Sequence, residues 1–130
     1  MPVEIQFDES QKFIIYTISD PVNIADLYAD YKEEKNFRDS VEHTVHSIVD
    51  MSAVKRIPPN WLTAKSGPGL THPHSGQMLF VGLSTGLRII VNTITKIMRY
   101  EKMQVFNTRE EADDYMAYLV QQQETASNGT

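Results

Sequence analysis

The sequence predicts an α/β domain with a mostly parallel sheet, a β-hairpin at the N-terminus and helices mainly on one face, in the order ββαβαβαβα. Three observations carry this. Two strand-like runs, Val3 to Phe7 and Lys12 to Ser19, stand close together at the start with a polar turn between them. Beyond them, strand-like runs alternate with helical ones, which implies right-handed crossovers and a parallel sheet. Gln77 to Gly82 (QMLFVG) is almost continuously apolar, as an interior parallel strand covered on both faces should be.

In the first strand Val3, Ile5 and Phe7 alternate with polar residues, the period of a half-buried strand. Asp8-Glu9-Ser10-Gln11 is the turn, and KFIIYTIS the second strand. Asp20-Pro21-Val22-Asn23 then stops the strand, with Asn23 as N-cap of a helix and Asp26 in its first turn. Ile24, Leu27, Tyr28 and Tyr31 share the apolar face of that helix. Thr44 to Asp50 (TVHSIVD) is the third strand. Ser84 caps a later helix whose Leu87, Ile90, Val91, Ile94, Ile97 and Met98 form a regular apolar stripe. Met103 to Phe106 is the final strand, and Thr108-Arg109-Glu110-Glu111 is a capping box opening a helix that buries Ala112, Tyr115, Met116 and Leu119. Residues 1–120 form one domain. The tail QQQETASNGT has too little apolar surface to order itself, so 121–130 is expected to be disordered.

A chain of 130 residues is one domain able to bury roughly two-thirds of its unfolded surface. A formal net charge of −5 and the lack of any Lys/Arg cluster argue against a grip on nucleic-acid phosphates. With no cysteine there is no disulfide, thiol catalysis or cysteine metal site. MPVEIQFDES has neither a basic leader nor a long apolar run, and no stretch approaches the ~18 apolar residues of a membrane span. The expected address is the cytoplasm, without membrane insertion.

The order of elements, the Asp50-Met51-Ser52 ending of the third strand, LFVGLS (Leu79 to Ser84) and VFNTREEADDYMAYL (Val105 to Leu119) resemble the STAS domain. That family includes the anti-sigma-factor antagonists of bacteria and the cytosolic domains of sulfate transporters. The resemblance spans about Val3 to Leu119. It implies a non-enzymatic protein–protein interaction module in bacterial regulation or signalling, whose partner is a regulatory or kinase-like protein; a homo-oligomer is compatible with it.

In the antagonists the third strand leads through an aspartate-serine-serine-glycine corner into a helix, and a partner kinase phosphorylates the second serine. Laying that pattern onto this chain puts Pro58, Pro59, Asn60 and Trp61 at the four places. Asn60, at the phosphoacceptor place, has no hydroxyl, and Trp61 stands where glycine would be. The resemblance therefore implies a corner kept for partner binding and a switch that is absent. Ser52, on the strand exit, and Thr63, about one turn into the helix, are the remaining hydroxyls for phosphorylation. Trp61 has two readings, a docking residue set in place by the prolines or a core residue folded inward.

The stretch GPGLTHPHSG (Gly67 to Gly76) reads as a Gly/Pro-rich loop where typical family members run a long helix. His72 and His74 are the candidates for zinc, but a site needs a third and fourth ligand, and no spacing ties His43 and His46 to the loop. No metal and no cofactor are expected. Catalysis fares no better, for there is no nucleophile elbow or phosphate-binding glycine loop. Ser75 and His74 are neighbours in a strand-like segment and point apart, so they are no dyad. Glu33, Glu34, Glu101, Glu110, Glu111, Asp113 and Asp114 read as solvated helix faces or helix starts. The Ile-rich stripe reads as core. It also admits the alternative function, a carrier or sensor of a small lipophilic ligand held between sheet and helices. Ile89 falls outside the stripe, a hint of a partner surface.

Overall fold

The computed structural model describes residues 3–21, 24–56, 68–98 and 101–128. β1 (Val3–Phe7) and β2 (Phe13–Ser19) form the expected antiparallel hairpin, in register from Val3↔Ile18 to Phe7↔Ile14. The hairpin places Val3, Ile5 and Phe7 of β1 on one face and Glu4 and Gln6 on the other, which is what the alternation of the sequence requires. α1 (Ile24–Ser40) leads to β3 (Val45–Ala53), the single turn α2 (Pro68–Thr71) to β4 (Ser75–Val81), and α3 (Thr85–Met98) to β5 (Met103–Phe106). α4 (Arg109–Asn128) follows. The sheet has five strands in the order β1-β2-β3-β4-β5, and β2 to β5 are mutually parallel. The fold is α/β with a mostly parallel sheet.

Parallel strands laid side by side in chain order, joined by right-handed crossovers, place their connecting helices on one face. α1 and α3 obey this. Leu27 of α1, Val41 just after it, and Leu87, Ile90, Val91 and Ile94 of α3 join Ile14, Tyr16, Val45, Val49 and Phe80 in one core. Each such side chain, withdrawn from water, contributes on the order of 1.5–3 kcal/mol. α4 is not a crossover, so the rule does not bind it. Its Ala112, Met116 and Leu119 pack on the opposite face, against Ile48, Leu79 and Val81. Helices thus cover both faces of the sheet, with α1 and α3 on one and, among the described helices, α4 on the other.

Four local differences from the sequence expectation have physical causes. Tyr28 is 47% exposed, and the buried face of α1 continues from Leu27 through Glu34 and Arg38, with Val41 buried just beyond its end. Glu34 is therefore not on a solvated face. Ile97 is 51% exposed and leaves the apolar stripe of α3, whereas Ile89 is exposed as expected. The segment expected as a wholly irregular loop contains α2, whose Pro68 carbonyl accepts the His72 N–H at 3.0 Å. Finally, α4 continues through residues 121–128, composition notwithstanding. Gln123 donates to the Thr44 carbonyl at 2.8 Å and Lys12 pairs with Glu124 at 3.2 Å, so two tertiary contacts hold that stretch.

Candidate functional site

The parallel strands give the sheet two distinct ends, and the described candidates lie at both. At the N-terminal ends of β3 and β4 lie the histidines. His72 Nδ1 accepts the backbone N–H of His74 at 2.9 Å, so its proton sits on Nε2, which donates to Asp39 Oδ1 at 2.6 Å. Both nitrogens of His72 are thus engaged. His74 Nδ1 donates to the Arg38 carbonyl at 2.8 Å, and the two imidazole rings stand 5.2 Å apart. His43 bonds the Gln11 carbonyl, and His46 Nδ1 accepts the Gln77 N–H. Among the described residues no three His, Asp or Glu side chains come together as a metal ligand set. With both nitrogens engaged, His72 has none left to serve a nucleophile as base.

Beneath α1 lies a network that sequence reasoning missed. The Tyr16 hydroxyl donates to Glu34 Oε1 at 2.6 Å, Arg38 Nε donates to Glu34 Oε2 at 2.7 Å, and Arg38 Nη1 donates to the Val45 carbonyl at 2.6 Å. Arg38 and Glu34 are 0% and 2% exposed. Burial, with the Glu34 carboxylate beside it, pushes the Tyr16 phenol far above its ordinary range. The Glu34–Arg38 pair ties α1 to the strand start, although Arg38 Nη2 is buried without a hydrogen-bond partner among the described residues, and a phenol held in its protonated form is no general base. The signal available was spacing: Glu34 and Arg38 follow Leu27 and Tyr31 at helical intervals, in line with Val41.

At the opposite edge, the C-terminal ends of the strands, β3 ends ahead of the residues that the STAS resemblance singles out. Pro58, Pro59, Asn60, Trp61 and Thr63 fall outside the described residues, as does the Asn23 cap. The strand that leads to them is described. Asp50 Oδ1 accepts the Ser52 N–H at 3.0 Å, and Arg109, at the start of α4, reaches Asp50 Oδ2 at 3.4 Å and Asp113 at 2.9 Å. Burial alone would raise the Asp50 carboxyl, but the Ser52 hydrogen bonds and Arg109 outweigh it and hold the group below its usual range. A carboxylate so stabilised is a weak base, so the exposed Ser52 has no activating partner in it. Gly82, at φ +73°, runs directly over Ser52, because a Cβ there would lie 2.3 Å from Ser52 Oγ. Lys55 completes the edge, its N–H bonded to Asp20 at 2.6 Å. Among the described residues this end of the sheet is held by the Asp50–Ser52 and Asp20–Lys55 hydrogen bonds and the Asp50–Arg109 ion pair.

A third feature lies on the face that α4 shares with the hairpin. A groove of about 580 Å³ runs between α4 and β2, floored by Phe13, Ile15, Met116 and Val120. It belongs neither to the corner nor to the histidine loop.

In comparison with known proteins, no family model and no curated protein matches the chain.

Proposed function

We propose that the chain is a STAS-like protein–protein interaction module of bacterial regulation or signalling, cytoplasmic and non-enzymatic, whose partner docks at the C-terminal edge of the sheet. The observation that carries this is the Asp50–Ser52–Gly82 arrangement. It orders the strand exit ahead of the segment that the resemblance makes the recognition corner, Pro58 to Trp61, and its carboxylate, Asp50, is engaged by the Ser52 N–H and by Arg109. A surface set before binding loses little entropy on association, which suits a docking edge. None of the described helices is long and apolar enough to cross a membrane, which accords with a partner met outside the bilayer. Asn60 cannot accept a phosphoryl group, so on this reading docking runs without the family's serine switch.

The groove beside α4 favours a second reading, a carrier or sensor of a small lipophilic ligand, because its floor is apolar and it lies between sheet and helix. Native mass spectrometry of freshly purified protein separates the two. The interaction module gives the mass of the chain or of a protein complex. A small molecule retained at about one per chain would overturn that assignment in favour of the carrier.

A further inference from the structure

We propose that the α4 groove is a second docking site, distinct from the corner, whose occupant is a basic amphipathic helix of a partner protein. Three observations lead there. First, the sheet layer is incomplete. α4 covers β3, β4 and β5 on its face, but over the hairpin that face carries exposed Glu4, Gln6 and Thr17 and only half-buried Phe13 and Ile15. β2 lies between antiparallel β1 and parallel β3, and its Phe13 and Ile15 are large apolar side chains left half covered on this face.

Second, the wall of the groove has helical period. Asp113, Met116, Ala117, Val120, Gln121 and Glu124 recur three or four residues apart along α4, a stripe of roughly three turns, about 16 Å. A helix laid beside α4 on the sheet would contact all of them at the usual 8–10 Å spacing between helix axes. An extended peptide of about five residues would also span the stripe, but its backbone would meet no edge of a described strand there, since the edge it could extend is β1, one strand farther away.

Third, the rim is acidic. Asp8, Asp113 and Glu124 line it, with Glu4 on the adjoining strand. Lys12 pairs with Glu124, and Arg109 is divided between Asp113 and Asp50. No cation among the ion pairs of the described residues serves Asp8 or Glu4. Apolar floor and acidic rim together ask for a ligand with an apolar face and basic flanks, and they repel an anionic membrane surface.

The test uses the intact chain and two labelled peptides of about 14 residues, ~20 Å as helices, built from Leu and Lys or from Leu and Glu in the same amphipathic pattern. The Leu/Lys peptide is expected to bind at least about tenfold more tightly than its acidic counterpart, and to weaken as salt screens the rim. Amide and methyl NMR shifts should concentrate on Phe13, Ile15, Met116 and Val120. Ala117→Arg, an exposed position on α4, should weaken the peptide about tenfold or more while circular dichroism stays unchanged, and Asp8→Asn, which removes the charge but keeps an acceptor for the Ser10 N–H, should weaken it less but in the same direction. Equal affinity for the two peptides, no binding of either, or indifference to both variants overturns the proposal. So does decanoate shifting the groove residues while the Leu/Lys peptide does not, which would mark a lipophilic-ligand site. Shifts confined to Asp50, Ser52 and Gly82 would also overturn it, yet leave docking at the corner standing.

Discussion

Arg38 and His74 hold each other's backbone: Arg38 Nη1 donates to the His74 carbonyl at 3.4 Å, and His74 Nδ1 donates to the Arg38 carbonyl at 2.8 Å. This reciprocal pair ties the end of α1 to the start of β4. It also converts the His loop, which as a sequence suggests chemistry, into a fastening.

Removing one partner of a buried ion pair strands the other charge. Arg38→Met should therefore cost ~3–5 kcal/mol in denaturant unfolding, since Glu34 would remain buried without its cation. Adding Glu34→Leu and Tyr16→Phe removes the stranded groups, and the triple variant should be more stable than Arg38→Met alone. If the losses simply add, the three residues are not one network.

His46 supplies a pH dependence. Burial, with Arg38 and Lys102 nearby, lowers its pKa from 6.5 to about 4. Between those values the unfolded chain binds a proton that the folded chain refuses. The contribution of His46 is therefore complete above pH 6.5 and is lost as pH falls toward 4. A loss of roughly 1–3 kcal/mol is expected across that window. Asp50, whose pKa is lowered from 3.8, acts at lower pH, so the two effects separate. Equilibrium unfolding of His46→Gln as a function of pH should show a flatter profile in that window; an unchanged profile would assign the dependence elsewhere.

Gly82 is needed both for its φ of +73° and for the closeness of Ser52, whose Cα would lie 2.6 Å from an added Cβ. Gly82→Ala should destabilise by ~1–3 kcal/mol. Ser52→Gly should restore only part, because the backbone contact remains. Chemical denaturation of the single and double variants measures both, and full restoration would show that the hydroxyl alone was in the way.

The engaged nitrogens of His72 predict that protein never exposed to an affinity column carries far less than one zinc or nickel per chain. Elemental analysis of wild type and His72→Ala checks this. About one metal per chain, lost in the variant, would show that the loop rearranges to bind it.

The sheet was legible because its strands are either cleanly alternating, as Val3, Ile5 and Phe7 are, or continuously apolar, as Met78 to Val81 are. Four positions of the α3 stripe were legible for the same reason, and the Thr108 cap is present, its hydroxyl accepting the Glu111 N–H at 3.2 Å. What escaped was polar burial. Glu34 and Arg38 stand on the inward face of α1, yet any reading by hydropathy stops at Tyr31, because nothing local says that Tyr16 and the Val45 carbonyl wait across the interface. The position of α4 escaped because no crossover constrains a helix that follows the last strand. Its continuation past Val120 depends on Lys12 and Thr44, far away in sequence.

Site-specific photocrosslinking tests the docking edge most directly. Benzoylphenylalanine is introduced at Lys55, exposed on the C-terminal rim, and at Lys35, exposed on α1, in separate chains expressed in the native host. The proposed function predicts a protein adduct of one defined mass at Lys55, abolished by excess unlabelled chain and absent at Lys35. Equal adducts at both positions, or none at Lys55 while the purified chain retains a small lipophilic molecule, would contradict it.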